Sequence, residues 1–397
     1  MNRSLSPLHA RVGTPVLILG IALSTLLAAC GSAAPPVSSA SSAKASAAAS
    51  TSPSGGALPS LAASRAGTAA SAANASAPAA SGLTTLHHGG LGSTGDVGLY
   101  LASDRGYFAE QRIAVDYVRF GGGLEIVAPL STGQIDLSSL SVQAGLLSAI
   151  GRGVDVKIVA GQSSTVPGRG TVAFLVRKDV VDGGRFKGPS DLKGLVFALS
   201  PPVDASAASI VLDRWLAEAK LTRADFKELK VLGFGDMPGA FANKAIDAAI
   251  SIEPFVATAV SQGFAVRVAG VDEVYPGQQQ GVISFGPSLL KRDDLARGFM
   301  VAYLKGVRDY SRAVEGKADM APIYETLARY TSLKDPALAA KVVPTGADPD
   351  GKLNLQSLID DQQYYIDHKT LQAPVDLRKL IDTSYAEAAV KTLGPYR

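Results

Sequence analysis

The chain has 397 residues and carries 38 Lys and Arg against 35 Asp and Glu, a formal net charge of +3. So even a balance excludes the basic footprint of a nucleic-acid binder, so no nucleic-acid partner is expected. Cys30 is the only cysteine, which excludes a disulfide framework, a CxxC redox pair and a thiolate zinc site within one chain.

The N-terminus starts with Arg3 and Arg11, has no acidic residue, and continues as an apolar run from Val12 to Ala29. A positive start, an apolar centre and a small-residue end are the layout of a secretory signal peptide. Leu27-Ala28-Ala29-Cys30 closes the run and resembles a bacterial lipobox, in which the cysteine is lipidated and becomes the first residue. The expectation is removal of residues 1–29, a formal charge falling from +3 to +1 with Arg3 and Arg11, and a membrane tether in the cell envelope through lipid on Cys30. The competing reading is an uncleaved anchor, since the run is just long enough to span a bilayer. Gly13, Pro15, Gly20, Ser24 and Thr25 dilute it, and the cysteine stands where cleavage is expected.

From Gly31 to Gly82 the chain turns to Ala, Ser, Pro and Gly, with Lys44 and Arg65 as its charges. Too few large apolar groups are present to offset the entropy of ordering, so residues 30–82 read as a flexible tether. As a random coil it has a typical end-to-end distance of about 40 Å.

The remaining 315 residues suffice for two core-forming domains. Strands are predicted at Ile113–Arg119, Val154–Ala160, Thr171–Val176, Leu195–Leu199, Leu229–Phe234 and Ala265–Ala269. Helices are predicted at Val97–Gln111, Leu124–Thr132, Val142–Ile150, Ala205–Ala219, Met237–Asn243 and Pro254–Gln262. This alternation predicts α/β layers with largely parallel sheets. From Arg292 on, the chain reads as mainly helical. Trp215 sits with Val211, Leu212, Leu216 and Ala219 on one helix and is expected in the core.

A repeat spans the two halves. Leu130-Ser131-Thr132-Gly133-Gln134-Ile135-Asp136 parallels Phe241-Ala242-Asn243-Lys244-Ala245-Ile246-Asp247, 111 residues later. Each copy reads as a helix, a tight turn and a short buried strand, so the two halves are expected to share one internal plan. Lys244 stands where a turn with positive φ favours glycine. Asn243 is the alternative carrier of that conformation.

Four motifs in order resemble one family. They are Gly106-Tyr107-Phe108 at a helix end, Leu130-x-x-Gly133-x-x-Asp136, Asp191-Leu192-Lys193-Gly194, and Ile246-Asp247-Ala248 followed by Glu253-Pro254. Together they resemble the substrate-binding proteins of nitrate/taurine/alkanesulfonate-type ABC importers, which share a domain with pyrimidine-precursor binders. The resemblance runs from about Gly90 to Tyr310. It implies a type II periplasmic-binding-protein fold, with two α/β lobes around a ligand cleft joined by two crossovers. Lobe 1 would be residues 83–171 plus 282–397, and lobe 2 residues 172–281. It also implies a small-molecule ligand, a monomer, and an importer whose permease and ATPase are separate chains.

Ligands of open α/β sheets sit beyond the carboxyl ends of strands. Ser93 and Thr94, after the first strand, offer hydroxyls and backbone amides. Ser139 and Ser141 follow the repeat's strand and either meet ligand or cap a helix. Asp204 and Ser206 precede the Trp215 helix. Asp204 either caps that helix or faces the ligand, where it would favour a donor over an anion. Glu253 either accepts from a ligand donor, caps the next helix or bridges the hinge, and Tyr275 offers a stacking face.

No catalytic, cofactor or metal residue is assigned. The cleft can hold no cysteine, so it lacks the cysteine-rich motif of the yeast-type pyrimidine synthases. No HExxH, GxSxG or Walker pattern is present. His87 and His88 are adjacent and on an extended segment would point to opposite faces. Solute capture is therefore favoured over catalysis, with a sensor or partner-presenting lipoprotein as a further reading. Replacing the anchor residue, Cys30→Ser, should release the protein from membranes in cell fractionation and leave ligand binding intact; retention on the membrane would indicate an uncleaved anchor.

Overall fold

The computed structural model describes residues 82–397. The signal segment, Cys30 and nearly all of the tether lie outside the described residues. Among the described residues, ten strands form two five-stranded sheets. The first four are β1 (Thr84–Gly90), β2 (Ile113–Arg119), β3 (Leu137–Leu140) and β4 (Lys157–Ser164). Five more follow: β5 (Val172–Arg177), β6 (Val196–Leu199), β7 (Glu228–Val231), β8 (Ala248–Ile252) and β9 (Ala265–Gly270). The last is β10 (Gln279–Phe285).

The orders are β2-β1-β3-β10-β4 and β7-β6-β8-β5-β9. Written this way, the two sheets have the same plan. Three parallel strands are followed by one strand running the other way, then by an outer strand. The sheets are therefore mixed rather than largely parallel. The reversed strand in each sheet, β5 or β10, is the first that the chain lays down after crossing from the other sheet. It enters from the side where the parallel strands end, so it must run against them.

The crossovers are residues 165–171 and 275–278, and they are stitched together. Thr165 N–H donates to the Gln278 carbonyl at 2.9 Å, Gly277 N–H to the Thr165 carbonyl at 2.7 Å, and the Thr165 hydroxyl to the Tyr275 carbonyl at 2.6 Å. The return to the first sheet begins at Gln279. Residues 279–281, expected in lobe 2, therefore pair in the sheet of lobe 1.

Most elements follow their sequence signals. The runs Phe174-Leu175-Val176 and Ala249-Ile250 are wholly buried because helices cover both faces of the second sheet. Trp215 lies on the helix Ala207–Glu218, is 5% exposed, and packs on Phe174 with ring centroids 3.8 Å apart. The C-terminal part is helical, beginning with the long helix Asp293–Val314. Where the structure departs, a polar group or a backbone turn explains it. The predicted helix Val97–Gln111 breaks at Gly106, whose φ of 75° starts a second short helix, Tyr107–Glu110. The strand expected at Val154–Ala160 is displaced to Lys157–Ser164 and continues through Gln162-Ser163-Ser164. Apolar patterning could not extend it into residues that face a polar cleft. β10 begins with Gln279-Gln280-Gly281 and escaped prediction for the same reason.

The sequence repeat is one device built twice. Asp136 N–H donates to the His87 carbonyl at 2.8 Å, and its carboxylate accepts His87 N–H at 2.8 Å. Asp247 does the same with Val196, at 2.8 and 2.9 Å. The carbonyl of each aspartate accepts an N–H from the end of the reversed strand, Gly286 or Arg177, at 2.8 Å. An arginine completes each site, Arg292 on Asp136 and Arg177 on Asp247. Charge-assisted bonds of this kind contribute about 1.5–3 kcal/mol each, enough to fix the register of three strands at once.

The preceding turns differ. Gly133 has φ 75°, and Lys244 itself takes φ 59° while Asn243 stays at −90°, so Lys244 rather than Asn243 carries the left-handed turn. Its ammonium meets Asp179 at 3.1 Å, but both side chains are mostly exposed and the pair contributes little. Lys244→Gly should therefore raise the unfolding free energy by about 0.5 to 1 kcal/mol, read from the denaturant midpoint.

Candidate functional site

The parallel strands of the two sheets end facing one another, and a cleft of about 100 Å3 lies between them. That is several times the space one water needs, and suits a small solute. β1 delivers Leu91 and Ser93; β3 delivers Ser139 to Ser141; β6 delivers Ser200 to Pro202; β8 delivers Ile252. Gln162 and Ser163 come from β4, Gln280 and Gly281 from β10 and Thr171 from the first crossover. Both lobes and both crossover strands thus line one space. The lining mixes hydroxyls and amides with apolar groups such as Leu91, Val172, Phe234 and Ile252 in about equal number, with no charged side chain among the described residues.

Four of the expected residues stand on this lining: Ser93, Ser139, Ser141 and Ser206. Two of them also cap helices. Ser93 accepts from Gly95 N–H at 3.1 Å, and Ser206 caps the helix Ala207–Glu218 by accepting from Ser209 N–H at 3.3 Å. The other four stand elsewhere. Thr94 is buried behind the cleft in a small separate pocket with Tyr310 and Val343. Asp204 is exposed and paired with Arg223, because Ser206 already holds the cap. Glu253 is 1% exposed; its two oxygens accept Ala257 N–H at 2.9 Å and Val343 N–H at 3.4 Å, so it caps one helix and braces a C-terminal loop. Tyr275 lies outside the cleft with its ring under Arg214, 3.6 Å from the guanidinium carbon.

Several groups went unseen in the sequence. Gln143, Gln162 and Ser163 line the cleft from positions whose neighbours read as plain strand or helix; Gln280, close to Tyr275 in sequence, lines it with them. A run of polar residues continuing an apolar strand, as Gln162-Ser163 continues Val159-Ala160, was the available signal. Beneath the lining lies Asp96, 2% exposed. It accepts from the Ser139 hydroxyl, from Gln162 Nε2 at 3.0 Å and from the Tyr100 hydroxyl at 3.4 Å. Burial raises its pKa and the three donors pull against that, leaving it at about 6, so the carboxylate form predominates at neutral pH.

His88 stands on the other side of Ser139, Nε2 to Oγ 2.8 Å, while His87 faces solvent beside Asp116. The adjacent histidines thus point to opposite faces, as their spacing predicts. Ser139, His88 and Asp96 form a triplet of types found in hydrolases, but in the wrong order for nucleophilic catalysis. The carboxylate holds the serine rather than the histidine. Burial lowers the His88 pKa to about 3, so the imidazole is no base near neutrality. With the serine proton directed to Asp96, Ser139 accepts from His88 Nε2–H.

The profile of the family described as NMT1/THI5 like matches residues 93–324, more than half of the chain. The chain belongs to this family. No curated protein matches it. Among solved structures it is similar to the ligand-binding component of an ABC-type import system from Staphylococcus aureus. Identity there is 16% and the TM-score 0.63, over 77% of this chain and 99% of the other. It is similar too to the alkanesulfonate-binding protein SsuA from Xanthomonas axonopodis pv. citri bound to MOPS. That match has 20% identity and a TM-score of 0.60, over 76% of this chain and 99% of the other. The desulfurization enzyme DSZB has the same fold at 17% identity and a TM-score of 0.55, over 78% of this chain and 99% of the other. The family member described here therefore has the type II periplasmic-binding-protein fold.

Two further carboxylates are held protonation-prone around the hinge. Burial raises Glu253 to about 7, against the pull of the Ala257 and Val343 amides. Burial also raises Asp361 to about 7; it lies beside Gln278 of the second crossover, near Tyr275, Arg214 and Asp360. The folded chain keeps the Asp361 proton across an interval where the unfolded chain has lost it, so stability from this group falls as pH rises through about 4 to 7. Asp361→Asn should match the parent in melting temperature near pH 3, exceed it by a margin that grows as pH rises from about 4, and level off above about pH 7, as read from parallel melts across pH.

Proposed function

We propose that this protein captures a small polar solute in the cleft between its lobes and delivers it to an ABC importer. The observation that carries the reading is the lining itself. Loops at the strand ends of both lobes converge on one space, so a solute held there bridges the lobes and favours their closure. Ser93, Ser139, Ser141 and Ser206 are proposed ligand contacts, joined by Gln143 and Ser200. The two crossovers, bonded to each other, are the natural hinge, because they are where the chain passes from one sheet to the other. Family membership and a fold shared with an importer's ligand-binding component support the same reading.

The proposal extends to location. Lipid on Cys30, with the tether behind it, would keep the binding domain in the cell envelope beside a permease and ATPase carried on other chains. No described helix is long and apolar enough to cross a membrane, in keeping with a domain that is held at a membrane rather than built into it.

An enzyme of the same fold is the competing idea, and Ser139 beside His88 is the feature in its favour. The order of that triplet and the low basicity of His88 argue against it. The two readings part in one experiment. Thermal melts of the protein against a panel of sulfonates, aromatic acids, pyrimidines, flavins and nitrate should give a hit. At 100 times its dissociation constant a single-site ligand adds about 2.7 kcal/mol of stability. The captured compound should be recovered chemically unchanged; conversion to product would make the protein an enzyme.

A further inference from the structure

The fold leaves two polar groups on the cleft wall without partners. Gln143 is 2% exposed and makes no capping bond at the head of the helix Ala144–Gly151, and its Oε1 is buried with no donor. Ser200, 3% exposed at the end of β6, has an unpartnered Oγ. One group comes from each lobe, and bare glycine backbone lies between them. A Cβ on Gly123 would stand 2.0 Å from the Gln143 Nε2, and one on Gly122 would stand 3.6 Å from the Ser200 Oγ. A buried polar group without a partner is costly, so this pair marks a place where an occupant supplies the missing bonds. A primary amide presents a donor beside an acceptor whichever way it is turned. Its best complement is the same pair reversed.

The Asp96 side of the wall sets the charge of the occupant. Ser139 donates its only proton to Asp96 and accepts from His88, so it offers the cleft a lone pair. Gln162 gives Nε2 to Asp96, and its Oε1 takes the Ser163 proton at 2.6 Å. The Ser139 and Ser163 hydroxyl protons and one Gln162 N–H are therefore spent inside this wall rather than on the cleft. Among the described residues no Lys or Arg lines the space. Arg119, whose charge reaches Asp96, bonds the Tyr330 carbonyl. An anion buried here would meet lone pairs backed by a carboxylate, with no counter-charge to offset its desolvation.

We propose that the cleft takes an uncharged polar solute with an amide-like edge, a hydrogen-bond donor beside an acceptor, and rejects small anions such as sulfonates and nitrate. The proposal rests on the solute-capture reading and names the class of solute. Gln143 reads the edge from lobe 1, Ser200 meets it from lobe 2, and Ser139 accepts from a further donor.

Calorimetric titration of the full chain with uracil, nicotinamide, methanesulfonate and nitrate, each alone, is the test. Uracil or nicotinamide should bind and the two anions should not. Gln143→Leu and the isosteric Gln143→Glu should each weaken that binding about tenfold or more, with melting temperatures showing both variants folded. Binding of either anion, or parent-like affinity in both variants, overturns the inference and leaves solute capture standing. Silence from all four compounds overturns it as well. If no compound of the wider thermal panel binds either, the capture reading falls with it.

Discussion

Each sheet depends on one aspartate. Asp136 and Asp247 sit at the starts of β3 and β8 and tie together the strand on one side and the reversed strand on the other. A parallel sheet has no hairpin turn to fix its register, so another contact must. A carboxylate that bonds a backbone N–H two strands' width from its own carbonyl's partner does this directly. Once the strands are locked at their starts, their ends come level, and Leu91, Ser139, Ser200 and Ile252 arrive at one cleft. Each site also has its own arginine on the carboxylate, Arg292 on Asp136 and Arg177 on Asp247.

The cleft floor follows a different logic. Asp96 is an ionisable group placed where water is excluded, and it is tolerated because Ser139, Gln162 and Tyr100 donate to it. That arrangement has a chemical consequence. Each proton given to Asp96 is withheld from the cleft, so Ser139, a hydroxyl on the lining, meets a solute as an acceptor. The count of serines along a lining thus says little about what it binds until the destination of each proton is known. The same network disarms Ser139 as a nucleophile, because its proton goes to a carboxylate while the adjacent imidazole is too deeply buried to take it.

At the hinge, polar groups also carry the structure. Thr165 bonds the opposite crossover through its N–H, its carbonyl and its hydroxyl. The helix Leu355–Asp367 sets Asp361 beside Gln278, and Tyr365 donates from the same helix to the Val142 carbonyl at 2.9 Å. The C-terminal helices therefore do more than extend the first lobe. Leu358, Tyr365 and Leu371 join the hydrophobic cluster that contains the core of the second sheet. A carboxylate in that packed position reports on pH through the cost of its charge.

The sequence by itself determined the alternation of strands and helices, the core position of Trp215, the opposed faces of His87 and His88, and the repeated turn and aspartate. These are properties of short segments: period, burial preference and local turn chemistry act within a few residues. It did not determine strand direction, since a reversed strand has the same pattern as a parallel one and only the crossover decides which way it enters. Nor did it separate Ser139, which lines the cleft, from Asp204, which Arg223 draws to the surface. Glu253 and Tyr275 stood near the right strand ends in sequence, yet the C-terminal loop at Val343 and the Arg214 side chain claimed them. Those partners come from distant parts of the chain. Which polar group is spent on the fold and which is left for a ligand is settled by tertiary contacts, because a hydrogen bond made once in the interior cannot be offered again.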